Sequence, residues 1–265
     1  MPTYYGTNRR DIFDGGAADE RVYGLAGDDD LYGNGGRDEL YGDNGWDLLV
    51  GGSGDDRLFG GAGSDLLDGG QGDDLMNGGS GFDYADYHFA ASRVVVNLGS
   101  GKATDDGDGG RDRLRSIEGV YGSRFGDRLT GDGGTNELFG EDGNDWLTGG
   151  GGQDLTIGGF GADRFIFADG DTSSNLDRAD LIGDFRRNEG DRIDLHGIDA
   201  NTAEAGDQAF AFVGSAAFSG RAGELRFTHL NGETLLLGDT NGDAAADLYI
   251  RMSDTQTLVQ GDFML

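Results

Sequence analysis

Carboxylates recur at a fixed interval through most of this chain. Asp11, Glu20, Asp29, Asp38, Asp47, Asp56, Asp65, Asp74 and Asp83 follow one another nine residues apart. A second series, Asp127, Asn136, Asp145, Asp154 and Asp163, keeps the same interval. Each of these residues stands five places after a glycine and two places before a residue that is nearly always apolar, such as Leu58 after Asp56. These side chains, and the carbonyls of the glycine-rich turns around them, offer only oxygen. Six to eight hard oxygen ligands select calcium, whereas magnesium asks for stricter octahedral geometry and retained water. Zinc or copper would call for histidine or cysteine; the chain has three histidines and no cysteine. Position six of each unit is therefore the candidate metal-ligating position.

The charge balance points the same way. Fifty acidic residues against 20 basic ones give a formal charge of −30 over 265 residues. A compact body so charged repels itself unless cations neutralise it. The sign excludes nucleic acid as a partner and gives no attraction to anionic lipid. No apolar run approaches the ~20 residues of a membrane span, so membrane insertion is not expected. The N-terminal MPTYYGTNRRD has no apolar core of a secretory signal peptide. Without cysteine there are no disulfides and no thiolate metal sites.

The elements that must position the carboxylates follow from the period. From Gly6 to Asp86 the chain divides into nine nonapeptides without insertion or deletion, and from Gly122 to Ile166 into five more. Position one is glycine throughout, and twelve of the fourteen units carry aspartate at position six. Position eight runs Phe13, Val22, Leu31, Leu40, Leu49, Leu58, Leu67, Met76, Ala85 in the first series and Leu129, Leu138, Leu147, Thr156, Phe165 in the second. Each unit reads as a six-residue turn and a three-residue strand whose middle side chain points inward. Two units make one 18-residue coil with a strand on each side. Coils stacked at the ~4.8 Å sheet spacing give an all-β fold, a parallel β-roll or two-sheet β-solenoid with a leucine spine. That spine is thin, and the turns place aspartate above aspartate, so the fold needs a counter-ion to form. A glycine-rich flexible linker would have no reason to keep leucine in phase with aspartate over 81 residues.

The pattern G-G-x-G-x-D-x-U-x is that of the RTX calcium-binding repeat, and the chain resembles an RTX protein. The resemblance implies calcium shared between turns one coil apart on the same side, so that Asp56 would share ions with Asp38 and Asp74. The implied ligand residues are Asp11, Asp29, Asp38, Asp47, Asp56, Asp65, Asp74, Asp83, Asp127, Asn136, Asp145, Asp154 and Asp163. The stacking rule gives about ten Ca2+ ions, which would bring the charge to roughly −10. Which turn carbonyls join them is left open.

The four segments expected are a first β-roll block (1–86), irregular coils continuing the stack (87–121), a second block (122–166) and a β-rich C-terminal cap (167–265). In 87–121, Val94, Val96 and Leu98 alternate as a half-buried strand. Asp105 to Gly110 read as an exposed acidic loop, with a calcium site there as the alternative. In the last third, Leu225 to Asp239 predict a hairpin turning at Asn231-Gly232. Stretches such as GADRFIFADGDT, GDRIDL, GDTNGDAAADLYI and the terminal DFML resemble the serralysin C-terminal region. Asp239, Asn241, Asp243 and Asp247 have the spacing of a calcium loop, or of a turn with solvated aspartates. Ala244 and Ile250 stand where an EF-hand has glycine and glutamate.

The serralysin protease motif H-E-x-x-H and the lipase motif G-x-S-x-G are absent, so no enzymatic activity is expected. The ending Asp262-Phe263-Met264-Leu265 resembles the uncleaved signal of type I secretion substrates. The expectation is a secreted, extracellular, non-catalytic calcium-binding module, unfolded in low calcium and folded outside the cell. Its partners would be type I secretion machinery and, at the uncovered first coil, an upstream fused domain. The alternative is an extracellular polysaccharide- or surface-binding module similar to the R-modules of alginate epimerases. Its candidate cations are Arg111, Arg113 and Arg115.

Overall fold

The computed structural model describes residues 1–265, which form two compact units, Met1–Leu129 and Thr130–Leu265. In the first unit the odd-numbered coil halves make one parallel sheet, in the order Thr3–Tyr5, Arg21–Tyr23, Glu39–Asn44, Arg57–Ala62, Leu75–Ser80. The alternate halves make the other, from Ile12–Asp14 through Asp30–Gly35, Leu48–Ser53 and Leu66–Gln71 to Tyr84–Asp86. Pairing advances by one coil per strand, so Val22, Leu40, Leu58 and Met76 align on one sheet and Leu31, Leu49, Leu67 and Ala85 on the other. All eight are buried, most at 0 % exposure. This is the expected parallel β-roll.

The strands at the centre of the first unit are six residues long rather than three. The turn glycines also join the ladder, with Asn34 opposite Gly52 and Gly52 opposite Gly70. With glycine at Gly52 and Gly70, the backbones of successive turns pair in the ladder as those of the strands do. On the outer face, position nine stacks Tyr5, Tyr23, Tyr41 and Phe59 with ring centroids 4.7–5.1 Å apart.

The interruption is more specific than a run of irregular coils. Val95–Asn97, Lys102–Asp105 and Asp112–Arg115 form an antiparallel meander, and the last of these rejoins the parallel ladder beside Leu75–Ser80. Gly119–Tyr121 likewise continues the ladder beside Tyr84–Asp86. The run from Asp105 to Gly110 is not an exposed loop throughout: Asp106 is 1 % exposed. The apolar side chains of Ala90 and Val94 close over Gly107 beside it.

In the second unit, Trp146–Thr148, Arg164–Ala168, Arg192–Gly197 and Phe263–Met264 pair in parallel. Glu137–Phe139, Leu155–Ile157, Asp180–Ile182 and Leu248–Met252 do the same on the opposite sheet. The first cap strands are thus further coils of the roll. Only beyond Leu248–Met252 does pairing turn antiparallel, through Glu233–Asp239 and Glu224–Leu230. That hairpin turns at Asn231 and Gly232, both at positive φ (53° and 93°), as a two-residue type I′ turn requires.

Candidate metal centres

Each turn positions its aspartate by two constraints. The Oδ1 atom accepts the backbone N–H of the residue one coil earlier: Asp56 from Asp38 at 2.7 Å, Asp65 from Asp47 at 2.9 Å, Asp74 from Asp56 at 2.7 Å. The Oδ2 atom folds back over the leading glycine of its own unit. A Cβ placed on Gly51 would lie 2.5 Å from Asp56 Oδ2 and 2.6 Å from the carbonyl oxygen of Gly69 on the next coil. The same pair of oxygens recurs at Gly33, Gly42 and Gly60, at 2.3–2.7 Å. Only glycine leaves this space open, and what faces it is oxygen from two successive coils.

Nine of the aspartates predicted from the repeats have a buried Oδ2 without any hydrogen-bond partner: Asp29, Asp38, Asp47, Asp56, Asp65, Asp74, Asp83, Asp154 and Asp163. Buried polar atoms in native proteins nearly always have partners, and a buried carboxylate is costly unless it is paired or ligates a metal. An oxygen-preferring cation fits this donor set. No three carboxylate or imidazole side chains gather at one point, so each centre would combine one or two carboxylates with turn carbonyls.

Three of the predicted repeat ligands differ. Asp11 Oδ2 accepts from the Thr7 backbone (2.5 Å) and hydroxyl (2.9 Å). Asp127 is engaged likewise by Ser123 N–H and Oγ, and by Val94 N–H. Asn136 Oδ1 accepts from Asp132 N–H at 2.7 Å. At Asp11 and Asp127 a hydroxyl residue at position two fills the slot, a signal already visible in the sequence.

The cap loop is different again. Asp239, Asn241, Asp243 and Asp247 lie in one loop, where their side-chain oxygens accept the loop's own N–H groups. Asp239 takes N–H groups from Gly242 (2.7 Å) and Ala244 (3.0 Å), and Asp247 takes Thr240 N–H and the Asn241 amide. Asn241 and Asp243 accept from Asp243 and Ala245 N–H.

Four acidic residues outside the nonapeptide register occupy the same structural position. Asp112 accepts Asp74 N–H (3.0 Å), Glu118 accepts Asp83 N–H (2.9 Å), Asp180 accepts Asp154 N–H (3.0 Å) and Asp191 accepts Asp163 N–H (3.0 Å). Each precedes a buried apolar residue by two places, Leu114, Val120, Ile182 and Ile193. That acid-x-apolar spacing is the readable half of the motif.

Burial raises the pKa of the turn carboxyls. Asp47 and Asp56 are pushed up to about 6 and Asp65 to about 7. Asp74 reaches about 8, through burial first and then the neighbouring Asp112, Asp56 and Asp106. Such a group holds its proton in the folded, ion-free chain at a pH where the unfolded chain, at 3.8, has lost it. Its contribution to stability is therefore complete below 3.8 and vanishes as pH rises through about 6 to 8. In chelator, circular dichroism should show β signal increasing as pH falls from about 8 to about 5. The calcium midpoint should move upward over the same range, because protons compete for the oxygens. A β signal in chelator that does not change with pH would contradict the burial of these groups.

The family described as peptidase M10 serralysin C terminal matches residues 46–265. The RTX calcium-binding nonapeptide repeat family matches residues 5–40 and 23–58. Neither matched region is a protease domain. No curated protein matches the chain significantly. Among solved structures, a subunit of the mannuronan C5-epimerase of Azotobacter vinelandii is 24% identical with a TM-score of 0.39, the match covering 55% of this chain and 76% of that one. The extracellular lipase LipA of Serratia marcescens is 15% identical with a TM-score of 0.27, the match covering 100% of this chain and 40% of the lipase.

Proposed function

Because this chain belongs to the serralysin C-terminal family of peptidase M10 and carries RTX calcium-binding repeats, we propose that it is a non-catalytic module whose calcium-driven folding serves type I secretion. The observation that carries this reading is the row of nine buried, unpartnered Oδ2 atoms. We assign about ten ions to the stacked turns, with Asp29, Asp38, Asp47, Asp56, Asp65, Asp74, Asp83, Asp145, Asp154 and Asp163 as carboxylate ligands. Asp11, Asp127 and Asn136 would act at turns where a hydroxyl or backbone N–H must first be displaced. The cap loop at Asp239, Asn241, Asp243 and Asp247 would bind calcium only by giving up its own hydrogen bonds, so it ranks last. We retain 1–86, 87–121 and 122–166 as the ion-dependent stack and 167–265 as the cap with the export signal.

Bound calcium supplies the positive charge and the oxygen coordination that the turns lack. In calcium-poor cytosol the carboxylates repel one another, and the chain stays extended enough to thread an export channel. Outside the cell each turn offers its Oδ2 and facing carbonyls only when the neighbouring coil is in place, so binding free energy becomes folding free energy.

The C-terminal tail fits this sequence of events. In the folded protein Phe263–Met264 pair with Ile193 and Asp194, and the buried Asp262 binds Arg187 through two contacts at 2.5 and 2.6 Å. A signal docked in this way is readable only while the chain is unfolded, so folding outside removes it from the exporter. Deletion of residues 262–265 should abolish export by a type I system. The purified truncated chain should still gain β structure with calcium, although the cap loses its last strand. Undiminished export of the truncated chain would refute the terminal signal.

A second reading, an extracellular polysaccharide-binding module, is favoured by one groove in the first unit. Arg37, Arg57, Lys102, Arg111 and Arg113 line it together with Asp55, Asp56, Asp73, Asp74 and Asp112. It gathers five of the chain's 20 cations, with Lys102, Arg111 and Arg113 from the interruption and Arg37 and Arg57 from the repeats. Calcium-dependent retention on an alginate column would support this reading.

A further inference from the structure

We propose that Asp106 is a cation ligand that closes the Gly69–Asp74 turn of the first repeat series, at a site the nonapeptide pattern does not contain. The inference rests on the calcium reading above and adds to it a residue outside the repeats. Asp106 is 1 % exposed. Its Oδ1 accepts three backbone N–H groups, from Asp108 at 2.8 Å and from Gly109 and Gly110 at 2.9 Å. Its Oδ2 is buried and has no partner.

That free oxygen is aimed into a turn. A Cβ on Gly110 would lie 2.5 Å from Asp106 Oδ2 and 1.9 Å from the carbonyl oxygen of Gly72. Gly72 itself bears the same relation to Gly54, whose carbonyl is 1.9 Å from its Cβ position. Gly110 is therefore the glycine of one more stacked turn. Asp112, two residues on, takes the N–H of Asp74 just as Asp74 takes that of Asp56.

One ligand of the ordinary turn is missing here. At Gly51 and Gly60 the first carbonyl of the next coil comes to 2.6 and 2.7 Å. At Gly69 the three nearest atoms all belong to Asp74, and no carbonyl comes within 3.0 Å. On the other sheet the interruption keeps a carbonyl in that role: Ser116, at φ 47°, brings its oxygen to 2.3 Å from the Cβ position of Gly78. On this side Asp112 cannot compensate freely, because its Oδ2 accepts the Tyr87 hydroxyl at 3.0 Å. Asp106 brings a carboxylate to the turn that has lost its carbonyl. The donors so assigned, Asp106 Oδ2 and the Gly72 carbonyl, are hard oxygens suited to calcium.

The test is Asp106→Asn, which keeps an Oδ1 acceptor for the three N–H groups and removes only the anionic Oδ2. Asp108→Asn, nearby in the same loop, is the control. Equilibrium dialysis with calcium should find one ion fewer per chain in Asp106→Asn and the wild-type number in the control, with unchanged circular dichroism at saturating calcium. An unchanged ion count and titration curve in Asp106→Asn would overturn the proposal. If that variant does not order at all, an anomalous map of a lanthanide-soaked crystal of the unmodified chain decides. A peak about 2.3–2.6 Å from Asp106 Oδ2 supports the site. Peaks at the repeat turns with only water at Asp106 overturn this proposal and leave the calcium reading standing. A wild-type chain that binds no ion anywhere overturns the calcium reading itself.

Discussion

Gly63→Ala should prevent the first unit from reaching its ordered state at calcium concentrations that fold the unmodified chain. Gly63 sits at φ +140°, and a Cβ there would lie 1.6 Å from the carbonyl oxygen of Gly45 and 2.7 Å from its carbonyl carbon. The φ region alone costs about 1–3 kcal/mol for a residue other than glycine. The overlap is worse, because the obstacle is backbone. The Gly45 carbonyl cannot retreat without separating two coils held at the ~4.8 Å sheet spacing by the pairing of Leu40 with Leu58 and Asn44 with Ala62. In a stacked array stability comes from contacts between neighbours, so a break in the middle is felt on both sides. The expected result is a calcium midpoint raised on the order of tenfold or more, since each factor of ten corresponds to only about 1.4 kcal/mol per ion bound, or no transition at all. Gly16→Ala is the control: its Cβ position has nothing within 4 Å, and its titration should match the unmodified chain. A Gly63→Ala chain that folds at the unmodified midpoint would mean that the turns do not stack as described.

The periodic part of the fold was legible because one rule sets both structure and chemistry there. Glycine at position one, aspartate at position six and an apolar residue at position eight each have a role repeated in every coil, so Leu31, Leu40, Leu49, Leu58 and Leu67 could be placed in the core from spacing alone, and all are buried. Asp112, Glu118, Asp180 and Asp191 escaped because the chain reaches them by loops of other lengths. They bond to residues 38, 35, 26 and 28 positions earlier, where the regular interval is 18. Their acid-x-apolar spacing survives, while the leading glycine five places earlier is lost at Glu118, Asp180 and Asp191 and kept, as Gly107, only at Asp112.

Asp106 was misread for a different reason. A run of aspartate and glycine looks solvent-exposed by composition. Its burial depends on Ala90 and Val94 folding over Gly107, a contact between residues that no local pattern links. The six-residue strands were hidden in the same way, since glycine has no side chain to reveal that a turn is paired. Thr7 and Ser123 are the opposite case. Their hydroxyls satisfy Asp11 and Asp127, and a hydroxyl at position two could have separated those two aspartates from the rest.

The second large effect is that of calcium itself. The core is a single file of residues such as Leu49 and Leu58 on each sheet, and the turns between them bury carboxylate oxygens without partners. Leaving a charge buried and unpaired costs far more than the same group loses in water. At pH above the raised values of about 6 to 8 these groups would all have to ionise inside the folded, ion-free chain. Magnesium, smaller and reluctant to shed its waters, suits a mixed set of carboxylate and carbonyl oxygens less well than calcium. Circular dichroism at about pH 8 during a calcium titration from excess chelator, with magnesium in a parallel series, tests this most directly. The account predicts little order in chelator, a steep cooperative rise in β signal with calcium and little response to magnesium. A chain that shows the same β spectrum in chelator as in calcium would contradict it.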